Sequence, residues 1–108
     1  RNCIFWGENG LVNDEVVVEK VGNTAFTVNF DYNLWKVQAN PANSTMTQII
    51  NNQPPQFDSI NTNRNYFDFR LKTGSAAINK GVNTGIITDL DGRPRAVGVP
   101  DLGCFEKQ

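Results

Sequence analysis

The stretch that decides the reading is residues 65–106, NYFDFRLKTGSAAINKGVNTGIITDLDGRPRAVGVPDLGCFE. Phe67, Phe69 and Leu71 alternate with Asp68 and Arg70. That period of two predicts a half-buried strand from Tyr66 to Leu71, with Phe67, Phe69 and Leu71 in the core. Gly74-Ser75 begins a tight turn that carries Ile78 toward the same core. Asp89-Leu90-Asp91-Gly92 has turn chemistry, with Gly92 suited to a positive φ. A short final strand is expected around Asp101 to Phe105.

Working outward, Asn2 to Gly7 (NCIFWG) has the β-branched and aromatic content of a strand. Glu8-Asn9-Gly10 reads as a turn. Glu15 to Lys20, nearly continuous Val, predicts a second strand with both faces partly covered. Thr24 to Val37 is the longest β-like run, with a bend expected at Asp31 to Trp35 because Asp and Asn favour turns over ladders. Asn40 to Asn43 is a loop, and Ser44 to Ile50 predicts one or two helical turns capped by Ser44. Pro54 and Pro55 end it, since neither donates a backbone bond. Phe57 reads as an isolated anchor, and Ser59 to Asn65 as an exposed Asn-rich loop.

Short strands with uneven connections indicate an all-β chain. Tight hairpin signals are few, only Asn9-Gly10 and Asp91-Gly92, which favours a parallel solenoid of three or four coils. An antiparallel β-sandwich of the carbohydrate-binding kind is the alternative. From residue pattern alone the two stand about level.

The motifs F-R-L, G-S-x-A-I-N-x-G, D-x-D-G-x-P-R and D-L-G-C-F-E, in that order, resemble the C-terminal end of secreted bacterial right-handed parallel β-helix proteins, the pectate-lyase-like solenoids. The family ending has Pro, Asp and Ile where this chain has Ala76, Asn79 and Leu102. NCIFWG is similar to a family rung strand, and PPQFD (Pro54 to Asp58) to the segment before the closing strand. The resemblance implies terminal coils of a right-handed parallel β-helix with long irregular loops. It also implies a secreted or cell-surface bacterial parent that handles polysaccharide. Such a family is defined by architecture and holds many functions.

The chain has 108 residues and a formal net charge of −1. That size fits one domain, residues 1–108, and the charge supplies no field for nucleic acid. No apolar run approaches the roughly 20 residues of a membrane span. The sequence opens directly on a strand pattern, which is read as a cut made inside a longer protein. An uncovered edge strand is a template for pairing. The expectation is therefore self-association through residues 2–20, or folding of that segment over its own open end. Fifteen residues are Asn, which tolerates left-handed backbone and so predicts many turns.

The absence of His removes the commonest general base and metal ligand. No catalytic set emerges. Asp58, Asp68 and Asp101 are carboxylates without a distinguishing context. Lyases in the resembled family use Arg or Lys bases and calcium on central coils, whereas Arg70 and Lys72 here flank a strand and read as surface residues. Asp89 and Asp91 resemble half of a calcium loop, but the later bidentate Glu is missing and Arg93 and Arg95 add positive charge. A structural turn in which one of the two caps backbone amides is preferred. Asn43-Ser44-Thr45 matches a glycosylation acceptor and is read as chance. Trp6, Tyr32, Trp35 and Tyr66 could stack sugar rings if exposed. Trp35, in a turn-like context beside Lys36, and Tyr32 are the carbohydrate-binding candidates.

Cys3 and Cys104 stand at opposite ends. A bridge would close a loop of about 100 residues, worth roughly 4–5 kcal/mol in the chain-entropy model. Strands several coils apart exceed the roughly 7 Å Cα reach of a disulfide, so two buried thiols acting as small hydrophobes are preferred. The functional expectation is a non-catalytic segment that ends a solenoid. A carbohydrate-binding module, or part of a lyase or hydrolase, is the alternative.

Overall fold

The structure is a computed structural model that describes residues 1–7, 13–61, 63–95 and 98–107. Among the described residues there are seven strands: β1 (Ile4–Phe5), β2 (Asn29–Asp31), β3 (Leu34–Trp35), β4 (Thr45–Thr47), β5 (Ile50–Asn51), β6 (Phe57–Asn61) and β7 (Tyr66–Leu71). The chain is all-β, with no helix among the described residues and therefore none able to cross a membrane.

Five of these strands stack in parallel. β1, β3 and β5 make a three-stranded sheet in the order β1-β3-β5, and β2 pairs with β4. Asn29 opposes Thr45 and Leu34 opposes Ile50, each a step of sixteen residues along the chain. β2, its bend and β3 thus lie residue for residue over β4, its bend and β5. The bends repeat too. Asn2, Tyr32 and Gln48, each two positions before its inward residue Ile4, Leu34 or Ile50, hold left-handed φ angles of 57°, 55° and 53°. A bend is what the Asp-Tyr-Asn sequence predicts between β2 and β3, and the non-glycine left-handed residue is its cause.

The stacked register builds the core. Ile4, Leu34 and Ile50 oppose one another across the sheet and face Leu71, Ala77 and Leu102. Leu34, Ala77 and Leu102 are almost wholly removed from water. At about 25 cal/mol per Å² of apolar surface, each buried Leu contributes roughly 1.5–3 kcal/mol. Trp35, on the opposite face of β3, is also fully buried. Its indole N–H donates to Asn51 Oδ1 at 2.8 Å, and Phe30 meets its ring edge-on with centroids 5.1 Å apart. Asparagine side chains complete the ladders at the bends. Asn33 Oδ1 accepts the Cys3 amide, and Asn52 Oδ1 accepts that of Val37. Asn2 exchanges a pair of bonds with the Val82 backbone.

Several expectations fail here. Ser44 to Ile50 is strand rather than helix: Thr45 to Thr47 pairs with β2, and Gln48 breaks the run with its positive φ. A lateral partner outweighs the weak local preference for one helical turn. Glu15 to Lys20 forms no strand, and Val17 and Val21 are exposed. Among the described residues it is Glu15 that ties this segment to the stack, its amide donating to the Lys36 carbonyl and its carboxylate 3.8 Å from Lys36 Nζ. β6, expected as loop, pairs antiparallel with β7. The sequence between the two strands has no Asn-Gly or Asp-Gly pair, which is why its turn signal was missing. Phe67 and Phe69 lie on the same face as Leu71, but the hairpin projects and leaves them 49% and 46% exposed, so only Leu71 reaches the core. Ile78 packs on the core from a half-buried position. The Glu8-Asn9-Gly10 turn lies outside the described residues.

Candidate functional site

Among the described residues beyond β7 no further strand is paired, so the strand expected around Asp101 to Phe105 does not form; a bridge joins Thr88 and Pro94, and side chains take over the work of ladders. Ser75 Oγ accepts the Ala77 amide and donates to the Pro55 carbonyl, which ties the small-residue turn to the proline segment. The Leu102 amide then donates to the Ala77 carbonyl at 2.9 Å, and the Gly103 amide to the Asn2 carbonyl at 2.8 Å. The last residues therefore lie against the start of β1.

Four ionisable groups hold that segment. Asp89 accepts the amides of Asp91 and Arg93 on one oxygen, both at 2.8 Å, and the Glu106 amide on the other at 2.9 Å. Asp101 accepts the Asn79 amide on one oxygen and the Lys107 amide on the other. Both oxygens of Glu106 lie within hydrogen-bond range of the Asp101 amide. Arg95 reaches the carbonyls of Asp101 and Gly103 and pairs with Glu106 at 3.1 Å. Asp89, Arg95 and Asp101 are each under 10% exposed. Among the described residues every buried side-chain nitrogen and oxygen has a partner. A satisfied buried network of this kind specifies one geometry.

The electrostatics follow from these contacts. Burial opposes ionisation of Asp89, but the Glu106, Arg93 and Asp91 amides together outweigh it and hold the carboxyl below its ordinary range. Glu106 goes the other way: burial pushes it up, with Asp101 and Asp89 adding negative charge against the Arg95 guanidinium and the Asp101 amide. An open concavity of about 510 Å³ lies beside Asp89, Arg95 and Arg1. Its acidic wall is already committed to backbone amides.

The two halves of the suggested calcium pair diverge. Asp89 serves the three amides, and Asp91 holds Arg70, whose guanidinium nitrogens lie 2.9 and 2.5 Å from its two oxygens. The preferred reading, an Asp that caps backbone amides, describes Asp89. Asp68 joins Arg70 from the other side, and the Arg70 backbone amide chiefly lowers its carboxyl. Arg70 also lies over the Phe105 ring, 4.6 Å from its centroid, so it is a strut between β7 and the closing segment.

The carbohydrate candidates need correction. Trp35 has no exposed ring face, because Asn51 of β5 and Phe30 lie against it. Tyr32 is half-buried and packs on the core. Exposed aromatic surface is instead on the hairpin, where Phe67 and Phe69 stack with an interplanar angle of 7° and Phe57 meets Phe69 edge-on. The strict alternation of β7 signalled one aromatic face, but not which side of it water occupies. Arg95 and Glu106 were missed because their pairing spans a loop. The dense charge in DLDGRPR and the DLGCFE ending were the available signals.

None of the known protein families, curated proteins or solved structures compared with this chain matches it.

Proposed function

We propose that this chain is the closing end of a right-handed parallel β-helix and that its work is structural. It ends the stack of coils and shields the core. The observation that carries the reading is the sixteen-residue step shared by the β2–β4 and β3–β5 pairs, with left-handed bends in register. A coil that repeats its bend and its inward residue is the unit of a solenoid, and such arrays need terminal segments that cover the core and blunt the edge. The segment after β7 suits that task, with apolar contacts from Leu71, Ala77 and Leu102 beneath a polar knot. The resemblance adds a secreted or surface bacterial parent acting on polysaccharide. Catalysis would need acid or base groups free to meet a substrate, whereas Asp89, Asp101 and Glu106 are engaged with backbone amides.

Loosening the closing segment tests the role. Arg95→Met removes the bonds to Asp101, Gly103 and Glu106 while keeping a long side chain. Sedimentation velocity should show concentration-dependent association, and hydrogen exchange should show lost protection in residues 2–5. A monomer with unchanged protection overturns the reading, as does turnover of acidic glycans by the intact chain.

A second reading, glycan binding, draws on the exposed Tyr66, Phe67 and Phe69, since rings at such positions can stack on sugar faces. Affinity electrophoresis through polysaccharide gels separates the two readings. Retardation lost in Phe69→Ala supports binding, and equal mobility in every gel removes it.

A further inference from the structure

We propose that Cys3 and Cys104 are a disulfide-forming pair that locks the first strand to the closing segment, made by exchange with a small-molecule disulfide such as oxidised glutathione. Both are free thiols and both are exposed, contrary to the expectation of two buried ones. The distance objection raised by a stacked solenoid does not apply, because the two ends of the chain meet. The Gly103 amide donates to the Asn2 carbonyl at 2.8 Å. The carbonyl carbon of Asn2 is bonded to the Cys3 nitrogen, and Gly103 directly precedes Cys104. One hydrogen bond and a few covalent bonds therefore join the two cysteine backbones. A Cβ built on Gly103 would stand 3.2 Å from Ile4 Cδ1, so the segments are also in side-chain contact. Cys3 and Cys104 line one groove of about 480 Å³, between Ile4 on one side and Phe57 and Phe69 on the other. That groove gives a small disulfide access to both sulfurs.

The exchange balances. A thiolate of the pair attacks the small disulfide, forms a mixed disulfide and expels one small thiolate. The second cysteine, as thiolate, then attacks the protein-side sulfur and expels the other. Two protein thiols are oxidised, one small disulfide is reduced to two thiols, and the two protons leave with them. Cys3 Sγ now donates to the Arg1 carbonyl at 3.1 Å, a contact released when the bridge forms. The closed loop takes in nearly the whole chain, the case in which a cross-link restrains the unfolded state most.

The test is a redox titration of the intact chain against mixtures of reduced and oxidised glutathione, native and in concentrated urea. Mass spectrometry and non-reducing peptide maps read the products. The native chain should remain a monomer, lose the mass of two hydrogens and yield one peptide pair containing Cys3 and Cys104. Its effective thiol concentration should exceed that of the urea-unfolded chain by about a hundredfold or more. Oxidation should raise Tm by about 10 °C or more. Cys3→Ser and Cys104→Ser should each stop at a single glutathionyl adduct. A native chain that takes up two glutathionyl groups without bridging overturns the proposal. So do bridged dimers, or a native effective concentration equal to the unfolded one.

Discussion

The Glu106 amide donates to the Asp89 carboxylate at 2.9 Å, and this bond fastens the end of the chain to the DLDG turn. Asp89 also caps Asp91 and Arg93. Replacing it with Ala leaves three amides to find other partners in a mostly buried place. The expected loss is about 2–4 kcal/mol in urea melts at neutral pH.

Acid should erase the same contribution. The Asp89 carboxyl is held below its ordinary value of 3.8, so its stabilisation is complete above that value and is lost as pH falls through the lower folded one. In the Asp89→Ala chain the acid-side slope of stability against pH should flatten. An unchanged slope would assign acid sensitivity to other carboxylates.

Glu106 carries the opposite sign. Burial raises its carboxyl above the ordinary 4.5, so the folded chain binds a proton that the unfolded chain releases first. Its contribution is fully present below 4.5 and is lost as pH rises through the folded value. Glu106→Gln cannot ionise and keeps an acceptor for the Asp101 amide. It should match the parent chain most closely below pH 4.5, where Glu106 is protonated, and it should remove the decline above 4.5. Equilibrium melts of both chains between pH 4 and pH 8 check this, and identical profiles would show that Glu106 titrates alike folded and unfolded.

Leu34 and Phe69 separate what the sequence reveals from what it hides. Phe69 lies in an apolar pattern with a two-residue period that marks a strand, whereas Leu34 lies in the stretch from Asp31 to Trp35 where the sequence predicts a bend. Yet Leu34 is sealed between Ile4 and Ile50, while Phe69 is nearly half exposed. Alternation reports which residues share a face, not whether anything covers that face. Coverage depends on a strand sixteen residues away, and no local window contains it. Trp35 shows the converse: a turn-like setting beside Lys36 suggested exposure, but the Asn51 bond, the paired strand β5 and Phe30 bury it. Gly92 was more legible, since its positive φ is a local glycine preference, whereas the bend before Leu34 turns at Tyr32, which no local φ preference favours. Leu34→Ala should therefore cost about 3–5 kcal/mol. Phe69→Ala should cost about 1 kcal/mol, because partial exposure removes most of the transfer and cavity penalty. Denaturant melts that reverse this order would move the core to the hairpin.

Gly103 and Gly22 give a paired test of how tightly the ends meet. Both have positive φ, 94° and 83°, so an Ala side chain strains either backbone by about 1–2 kcal/mol. At Gly22 a new Cβ meets open space, whereas at Gly103 it lies 3.2 Å from Ile4 Cδ1. Gly22→Ala should thus show the backbone term alone, and Gly103→Ala that term plus a steric one. Ile4→Val deletes the obstructing methyl. In the Ile4→Val, Gly103→Ala double variant the steric part should vanish, so the combined loss falls short of the sum by about 0.5–1.5 kcal/mol. The closing segment touches the first strand at this point, and the coupling measures that contact directly. Strict additivity in denaturant melts would mean that Ile4 and Gly103 do not touch in solution.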